Sequence, residues 1–120
     1  MRQTIGDKLT ADSVAAAPAD SADAGFDLET TQGQAKVMKW LLILTATAAV
    51  DWDLYARDMN TKEWMNATAL VSNYAKTIVG RRCFLVENIG VFDQLVVVGA
   101  ATITATKLQE YIENNFLRGD

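Results

Sequence analysis

Histidine is absent from the 120-residue sequence, and cysteine and proline each occur once. Without histidine the chain has no Ser-His-Asp or Cys-His catalytic arrangement, and it lacks the usual zinc and haem ligand and the commonest general base. The single cysteine, Cys83, excludes an internal disulfide and a paired-cysteine metal or redox motif. Its apolar neighbours Phe84 and Leu85 predict that the thiol is a small buried side chain.

Carboxylates are the acid–base groups that remain, and their spacing does not indicate a catalytic pair. Asp51 and Asp53 flank Trp52, and on a helix residues two apart point to different sides. Asp58 lies a turn further on, and we interpret all three as surface charges. The glycines are widely spaced and form no phosphate-binding motif. We therefore predict a protein that is not an enzyme, with no catalytic, cofactor-binding or metal-binding residues and no cofactor; an enzyme that uses carboxylates alone is a further alternative.

The charge of the chain is concentrated at one end. Residues 1–33 carry two basic and six acidic residues, whereas the rest of the chain carries nine of each, so the whole net charge of −4 lies in the N-terminal part. The Arg81–Arg82 pair is the largest basic cluster, and it would suit the negative end of a helix dipole. Because no basic stripe is present, we predict no nucleic-acid partner.

The N-terminal part also differs from the rest in its side chains. Residues 10–25 are mainly Ala, Asp and Ser with the only proline, Pro18, and this composition buries too little apolar surface to offset the entropy of ordering. We expect residues 1–33 to form an acidic, flexible arm, disordered or extended unless a partner orders it. Residues 34–120 are then a single helix-rich body, small enough to gain stability from association.

Apolar side chains in the body recur at spacings of three and four, which is the pattern of amphipathic helices. Leu41, Leu44 and Ala48 fall on one stripe of a first helix, on which Asp53 and Arg57 form an i, i+4 ion pair. The predicted fold class is mainly α, a small helical bundle of about four helices at 34–58, 61–79, 88–103 and 107–117.

One stretch of the body also fits strands. Val96–Val98 and Thr102–Thr104 are rich in β-branched residues, which favour strands. The alternative fold is therefore α+β, with two short strands near 83–87 and 94–98.

Two uncharged apolar runs, 40–50 and 94–106, raise the question of a membrane. As a helix, the first run extends about 17 Å, against about 30 Å of hydrocarbon. We interpret both runs as core segments; the alternative function is a small membrane-associated accessory protein that uses two short apolar helices. Because residues 3–20 lack the apolar core of a secretory signal, we expect a location in the cytoplasm or within an assembled particle.

The first predicted helix is apolar around most of its circumference, which is more than one buried stripe requires. Trp40, Ile43, Val50 and Leu54 lie beside its main stripe and are the candidate interface residues. Together with the small body and the acidic arm, they indicate a non-enzymatic structural or assembly subunit. We expect it to pack against copies of itself or partner proteins, in a homo-oligomer or a larger complex such as a virus or phage particle.

Overall fold

Antiparallel β-strands make up most of this protein. The computed structural model describes residues 3–28, 39–87 and 92–113, and within these ranges eight strands join into one antiparallel sheet. The strands are β1 (Gln3–Ala11), β2 (Phe26–Asp27), β3 (Lys39–Asp58), β4 (Trp64–Asn66), β5 (Val71–Ser72), β6 (Thr77–Glu87), β7 (Phe92–Gly99) and β8 (Ile103–Glu113). A 3-10 turn, Thr68–Leu70, lies between β4 and β5.

The 20-residue strand β3 organises the sheet, because it is long enough to take part in both ends of it. Its first part, 39–46, pairs with β6 on one side and β8 on the other. β5 pairs with the outer edge of β6 and β1 with the outer edge of β8. These five strands form the first half-sheet. The second part of β3, 52–58, pairs with β7 and β4, and β2 pairs with the outer edge of β7. These four strands form the second half-sheet. The pairing register with β6 shifts between Ala46 and Val50; Val50 and Asp51 still pair with β6, and pairing with the second half-sheet begins at Trp52.

Alternate residues of β3 point into one core, as the two-residue repeat of a strand requires. Trp40, Leu42 and Leu44 are buried in the first half-sheet, and Trp52 and Leu54 are buried in the second. Other elements add buried side chains to the same cluster, among them Phe26, Leu28, Ile78, Phe84, Val86, Leu95, Val97 and Leu108. The core therefore lies between the two half-sheets that β3 connects.

The predicted helical bundle is wrong, because no helix of seven or more residues occurs in the described ranges. The first predicted helix, 34–58, is β3 from residue 39 onward, and the second, 61–79, contains β4, the 3-10 turn, β5 and the start of β6. The third, 88–103, contains β7, and the fourth, 107–117, contains the end of β8. Residues 34–38, 88–91 and 114–117 of these predictions lie outside the described residues. Both faces of residues 40–46 are apolar, so this run fits a period of 3.6 as well as a period of 2. Leucine and alanine make up most of the run and favour helices, so its composition does not identify the strand either; the pairing with β6 and β8 decides it.

The alternative α+β class is wrong for the same reason, although its two proposed strand positions lie in strands. Residues 83–87 form the end of β6, and residues 94–98 lie inside β7. The β-branched composition of Val96–Val98 was thus a better guide to local structure than the helical spacing around it.

The N-terminal segment, expected to be a flexible arm, is part of the sheet over the described residues 3–28. The strand β1 pairs with β8, and β2 pairs with β7. Between them Val14 forms a parallel bridge with Val98 at the free edge of β7. Backbone hydrogen bonds and the burial of Phe26 and Leu28 order a segment whose composition alone does not favour order. The boundary expected after residue 33 lies outside the described residues.

Two glycines provide a test of how closely this segment packs. Gly25 and Gly80 both have positive φ, 70° and 76°, so an alanine at either position carries left-handed strain of about 1–2 kcal/mol. A Cβ at Gly25 would lie 2.1 Å from the carbonyl oxygen of Leu95, whereas a Cβ at Gly80 would meet nothing within 4 Å. We expect Gly25→Ala to lower the free energy of unfolding by about 2 kcal/mol more than Gly80→Ala, measured by urea denaturation. Equal losses would show that Gly25 does not pack against β7.

Candidate functional site

A cluster of charged side chains, with two buried members and two more exposed ones, lies where the N-terminal segment meets the second half-sheet. Arg57, near the end of β3, is 6% exposed, and Asp93 of β7 is fully buried. The Arg57 guanidinium donates two hydrogen bonds to Asp93, from Nε to Oδ1 at 3.0 Å and from Nη2 to Oδ2 at 2.9 Å. Its Nη1 donates to Asp23 Oδ1 at 2.7 Å, and Lys62 Nζ donates to Asp93 Oδ2 at 2.6 Å. We call these four residues the buried ion-pair cluster.

Neighbouring polar side chains attach the N-terminal segment to the same place. Gln94 accepts a hydrogen bond from the backbone N–H of Ala24 at 2.9 Å and donates one to Asp23 Oδ1 at 3.2 Å. The Trp64 indole Nε1 donates to the carbonyl oxygen of Ala22 at 2.9 Å. Residues 22–24 are therefore held by side chains from β7 and β4 as well as by Arg57.

Arg57 and Asp93, at the centre of the buried ion-pair cluster, are both charged at neutral pH. Hydrogen bonding to Asp93 raises the pKa of Arg57 above its usual value, although burial opposes this change. Burial by itself raises the pKa of Asp93, but hydrogen bonds from Arg57 and Lys62 together outweigh it and hold that pKa below its usual value. Both oxygens of the Asp93 carboxylate already accept hydrogen bonds, so the arrangement suits a structural attachment better than proton transfer.

The lowered pKa of Asp93 predicts a pH dependence of stability with a definite sign. The ionised carboxylate stabilises the fold near neutral pH, and this contribution is lost as the pH falls below the usual value of 3.8 and through the lower folded pKa. We expect the free energy of unfolding to decrease with falling pH in this range. Asp93→Asn should lower stability at neutral pH and flatten the acid part of the curve, measured by urea denaturation at a series of pH values. An acid dependence that Asp93→Asn leaves unchanged would assign it to other carboxylates.

Asp51 and Asp53 lie on the same face of β3, whereas a helix would have separated them. The Tyr74 hydroxyl donates to Asp53 Oδ1 at 3.2 Å, and the Thr77 hydroxyl donates to Asp51. Burial first, and then the nearby Asp53, raises the pKa of Tyr74 to about 12. Asp58 lies apart from this pair, as the last residue of β3. Among the residues that the structure describes, no group of three histidine, cysteine or carboxylate side chains could hold a metal ion.

Three of the four predicted interface residues belong to the chain's own core. Trp40, Val50 and Leu54 are buried there, so they face no partner in this fold. The indole Nε1 of Trp40 has no hydrogen-bond partner in the described part of the chain. Ile43 differs, since it lies on the opposite face of β3 and is partly exposed.

The face of the first half-sheet that points away from the core is partly exposed and apolar at its centre. We call this surface the outer face; the pairing register assigns to it Leu41, Ile43 and Thr45 of β3, Arg81, Cys83 and Leu85 of β6, and Ala105, Lys107 and Gln109 of β8. Leu41 lies directly beside Leu85, and Ile43 lies between Cys83 and Lys107. Side chains directly opposite in a sheet are in contact distance, so these apolar groups form one patch.

Two cations border the apolar centre of the outer face. Arg81 and Lys107 lie on the strands to either side of β3 and line a shallow groove of about 360 Å³ together with Ile43, Thr45 and Ala105. The ion pairs within the described ranges include neither Arg81 nor Lys107. The outer face therefore combines apolar contact area with two positive charges that no described carboxylate neutralises.

Cys83 lies on the outer face and is exposed, so the prediction of a buried thiol is wrong. Side chains alternate along β6, which buries Phe84 and turns its neighbours Cys83 and Leu85 outward. The apolar neighbours in the sequence were misleading because adjacent residues of a strand point to opposite faces. The single thiol is instead a natural probe of the outer face.

A group of carboxylates lies at the other end of β3. Asp58, the last residue of β3, and Glu63 lie at the two ends of the turn between β3 and β4, and Asp20 accepts a hydrogen bond from the backbone N–H of Trp64 at 3.1 Å. We call Asp20, Asp58 and Glu63 the acidic tip. Hydrogen bonds from the backbone N–H of Thr61 and of the residue before it hold the pKa of Asp58 below its usual value. No ion pair in the described part of the chain neutralises these three carboxylates.

Comparisons with protein-family models, with curated proteins and with solved structures find no match to this chain. Its function is therefore argued from the outer face, the acidic tip and the buried ion-pair cluster. The interface residues predicted from the sequence include one residue of the outer face, Ile43. The sequence did not predict that the three carboxylates of the acidic tip lie together. No polar–apolar alternation in residues 81–86 marks the outer face, because Arg82 interrupts it and Leu85 is as apolar as its buried neighbours Phe84 and Val86.

Proposed function

We propose that this chain is a non-enzymatic structural or assembly subunit that packs against other protein chains through its outer face. One observation carries the proposal: Leu41, Ile43 and Leu85 lie side by side on the outer face and stay partly exposed. Contiguous exposed apolar groups with polar neighbours are typical of protein–protein contact surfaces. Copies of the same chain and other proteins are both partners of this kind.

The polar groups of the chain support a structural role. In the buried ion-pair cluster each charge has an opposite charge within 3.0 Å, and the cluster attaches residues 22–24 to the second half-sheet. The Asp51 and Asp53 carboxylates accept hydrogen bonds from Thr77 and Tyr74, which connects β3 with the chain around β6. Both arrangements stabilise a rigid body that can present the outer face to a partner.

The sequence also suggests a membrane setting and a virus or phage setting. The apolar runs behind the membrane alternative are mainly strands, since 40–50 lies in β3 and 94–106 lies largely in β7 and β8. Within the described ranges, no helix has the length and apolar character needed to cross a membrane. The virus or phage setting depended partly on a free arm, whereas β1, Val14 and β2 of this segment pair with the rest of the sheet. The proposal is therefore limited to the assembly role.

The proposal is tested by following the reactivity of Cys83 in the full-length chain. If the outer face is a contact surface, the rate at which maleimide alkylates Cys83 should fall as the protein concentration rises. Ile43→Glu places a charge beside Cys83 and should make the rate independent of concentration. Ala69→Glu, at an exposed residue outside the outer face and the acidic tip, should behave like the wild type. A wild-type rate that is constant up to high concentration would contradict self-assembly through this face.

A further inference from the structure

We propose that the outer face is occupied by the acidic tip of a second copy of this chain, so that copies associate head to tail. This inference rests on the proposed function, because it names the partner and the partner surface of the same outer face. It is carried by the match between two surfaces that each lack a neutralising partner within one chain.

The first part of the match is charge. The outer face presents Arg81 and Lys107, and the acidic tip presents Asp20, Asp58 and Glu63, with no described ion pair at any of them. Placing the acidic tip in the groove between Arg81 and Lys107 would bring opposite charges together, which favours both association and a single orientation. The two surfaces are then complementary in sign.

The second part is exposed apolar area. Two large hydrophobic residues are exposed in the described part of the chain, Met65 at 38% and Val79 at 59%. Met65 lies two residues after Glu63 of the acidic tip, and Val79 lies two residues before Arg81 of the outer face. Each charged surface therefore has an exposed apolar side chain beside it, and burial of both would add to the contact.

The two surfaces lie far apart along one chain. Ile43 is in the first part of β3, and Asp58 is its last residue, beyond the register shift and within the second half-sheet. No described ion pair connects the two surfaces within the chain. The complementary charges are thus available to a second copy.

A symmetric dimer through two outer faces is disfavoured by the same charges. In a two-fold interface each surface meets itself, so Arg81 and Lys107 of one copy would face those of the other. Like charges across an interface oppose association, whereas the head-to-tail arrangement pairs each cation with a carboxylate. A head-to-tail contact is heterologous and leaves one outer face and one acidic tip free, so further copies can add.

Charge-reversal variants test the inference in the full-length chain. R81E/K107E alters the outer face, and D20K/E63K alters the acidic tip while keeping Asp58, whose side chain accepts hydrogen bonds from its own turn. We expect each variant alone to self-associate at least about tenfold more weakly than the wild type. An equimolar mixture should associate again, because each altered surface then meets an oppositely charged one. Solution mass by light scattering measures both effects, and circular dichroism confirms that each variant is folded.

Cross-linking separates this inference from the proposed function. Asn60→Cys adds a thiol to the turn of the acidic tip, and a short bismaleimide should then join Cys83 of one copy to position 60 of the next and give a ladder of covalent oligomers. If the wild type associates but D20K/E63K keeps the full wild-type mass, or if Cys83 cross-links to Cys83, the assembly role stands and the head-to-tail contact is wrong. A wild type that is monomeric at all concentrations would overturn the head-to-tail contact and any self-assembly through the outer face, and only a different partner protein would then remain for the proposed function.

Discussion

Arg57→Met should lower the free energy of unfolding by about 3 kcal/mol, toward the lower end of what removing one partner of a buried ion pair costs. The reason is that Asp93 stays fully buried after its two hydrogen bonds from Arg57 are removed. Lys62 Nζ remains 2.6 Å from Asp93 Oδ2, which limits the loss. Urea denaturation followed by tryptophan fluorescence measures the change.

Two variants control for the loss of packing at this position. The double variant R57M/D93L removes both buried charges and should recover a large part of the stability that Arg57→Met loses, because apolar pairs of similar volume often replace buried ion pairs without net cost. Asp23→Asn should cost no more than about 1 kcal/mol, since the Asp23 side chain is 82% exposed. If Arg57→Met were as mild as Asp23→Asn, the cluster would contribute little to stability.

Trp52→Ala should lower the free energy of unfolding by about 3–5 kcal/mol. Trp52 is 1% exposed, and its ring centroid lies 5.0 Å from that of Tyr74 and 5.1 Å from that of Phe84. Its indole Nε1 also donates to the carbonyl oxygen of Ala75 at 2.7 Å. The substitution therefore leaves a cavity and an unfilled hydrogen-bond acceptor at the junction of the half-sheets.

A pair of milder substitutions separates the hydrogen bond from the packing. Trp52→Phe loses the bond to Ala75, whereas Trp40→Phe loses none, because Trp40 Nε1 has no partner in the described ranges. Both tryptophans are buried, so the difference between them should be about 1 kcal/mol in favour of Trp40→Phe. If Trp40→Phe were the more costly, the indole of Trp40 would have a role beyond filling the core.

Local composition predicted strands more reliably than apolar spacing did in this chain. Residues 40–46 are apolar at almost every position because β3 buries one face in the core and uses the other for the outer face. A run that is apolar on both faces has no period that distinguishes a strand from a helix. The segment Val96–Val98 consists of β-branched residues, which favour a strand, and it lies in β7.

Contacts between distant parts of the chain could not be predicted from spacing. Arg57 was paired with Asp53 as helical neighbours, but in β3 it instead binds Asp93 and Asp23, which lie more than thirty residues away on either side. The acidic composition of the N-terminal segment suggested solvation, yet Asp23 gives this segment an anchor on the sheet. The sheet topology supplies these partners, and one sequence alone does not reveal it.

The outer face could be predicted in part from the sequence. The excess of apolar side chains in residues 40–54 predicted more apolar area than a single buried stripe explains. Once β3 is a strand, the same excess divides by a period of two, so that Trp40, Val50 and Leu54 are buried and Ile43 lies on the outer face with Cys83. The proposed contact surface follows from that division.

The central claim, that the chain is an assembly subunit, is tested most directly by the solution mass of the full-length, untagged protein. Light scattering on a sizing column without detergent should give a mass above the 13.1 kDa of one chain. With head-to-tail association, the mass should rise with concentration past that of two chains and should fall at high salt, which screens exposed charges. A constant mass of one chain across the accessible concentrations would contradict the claim that copies of this chain assemble with each other.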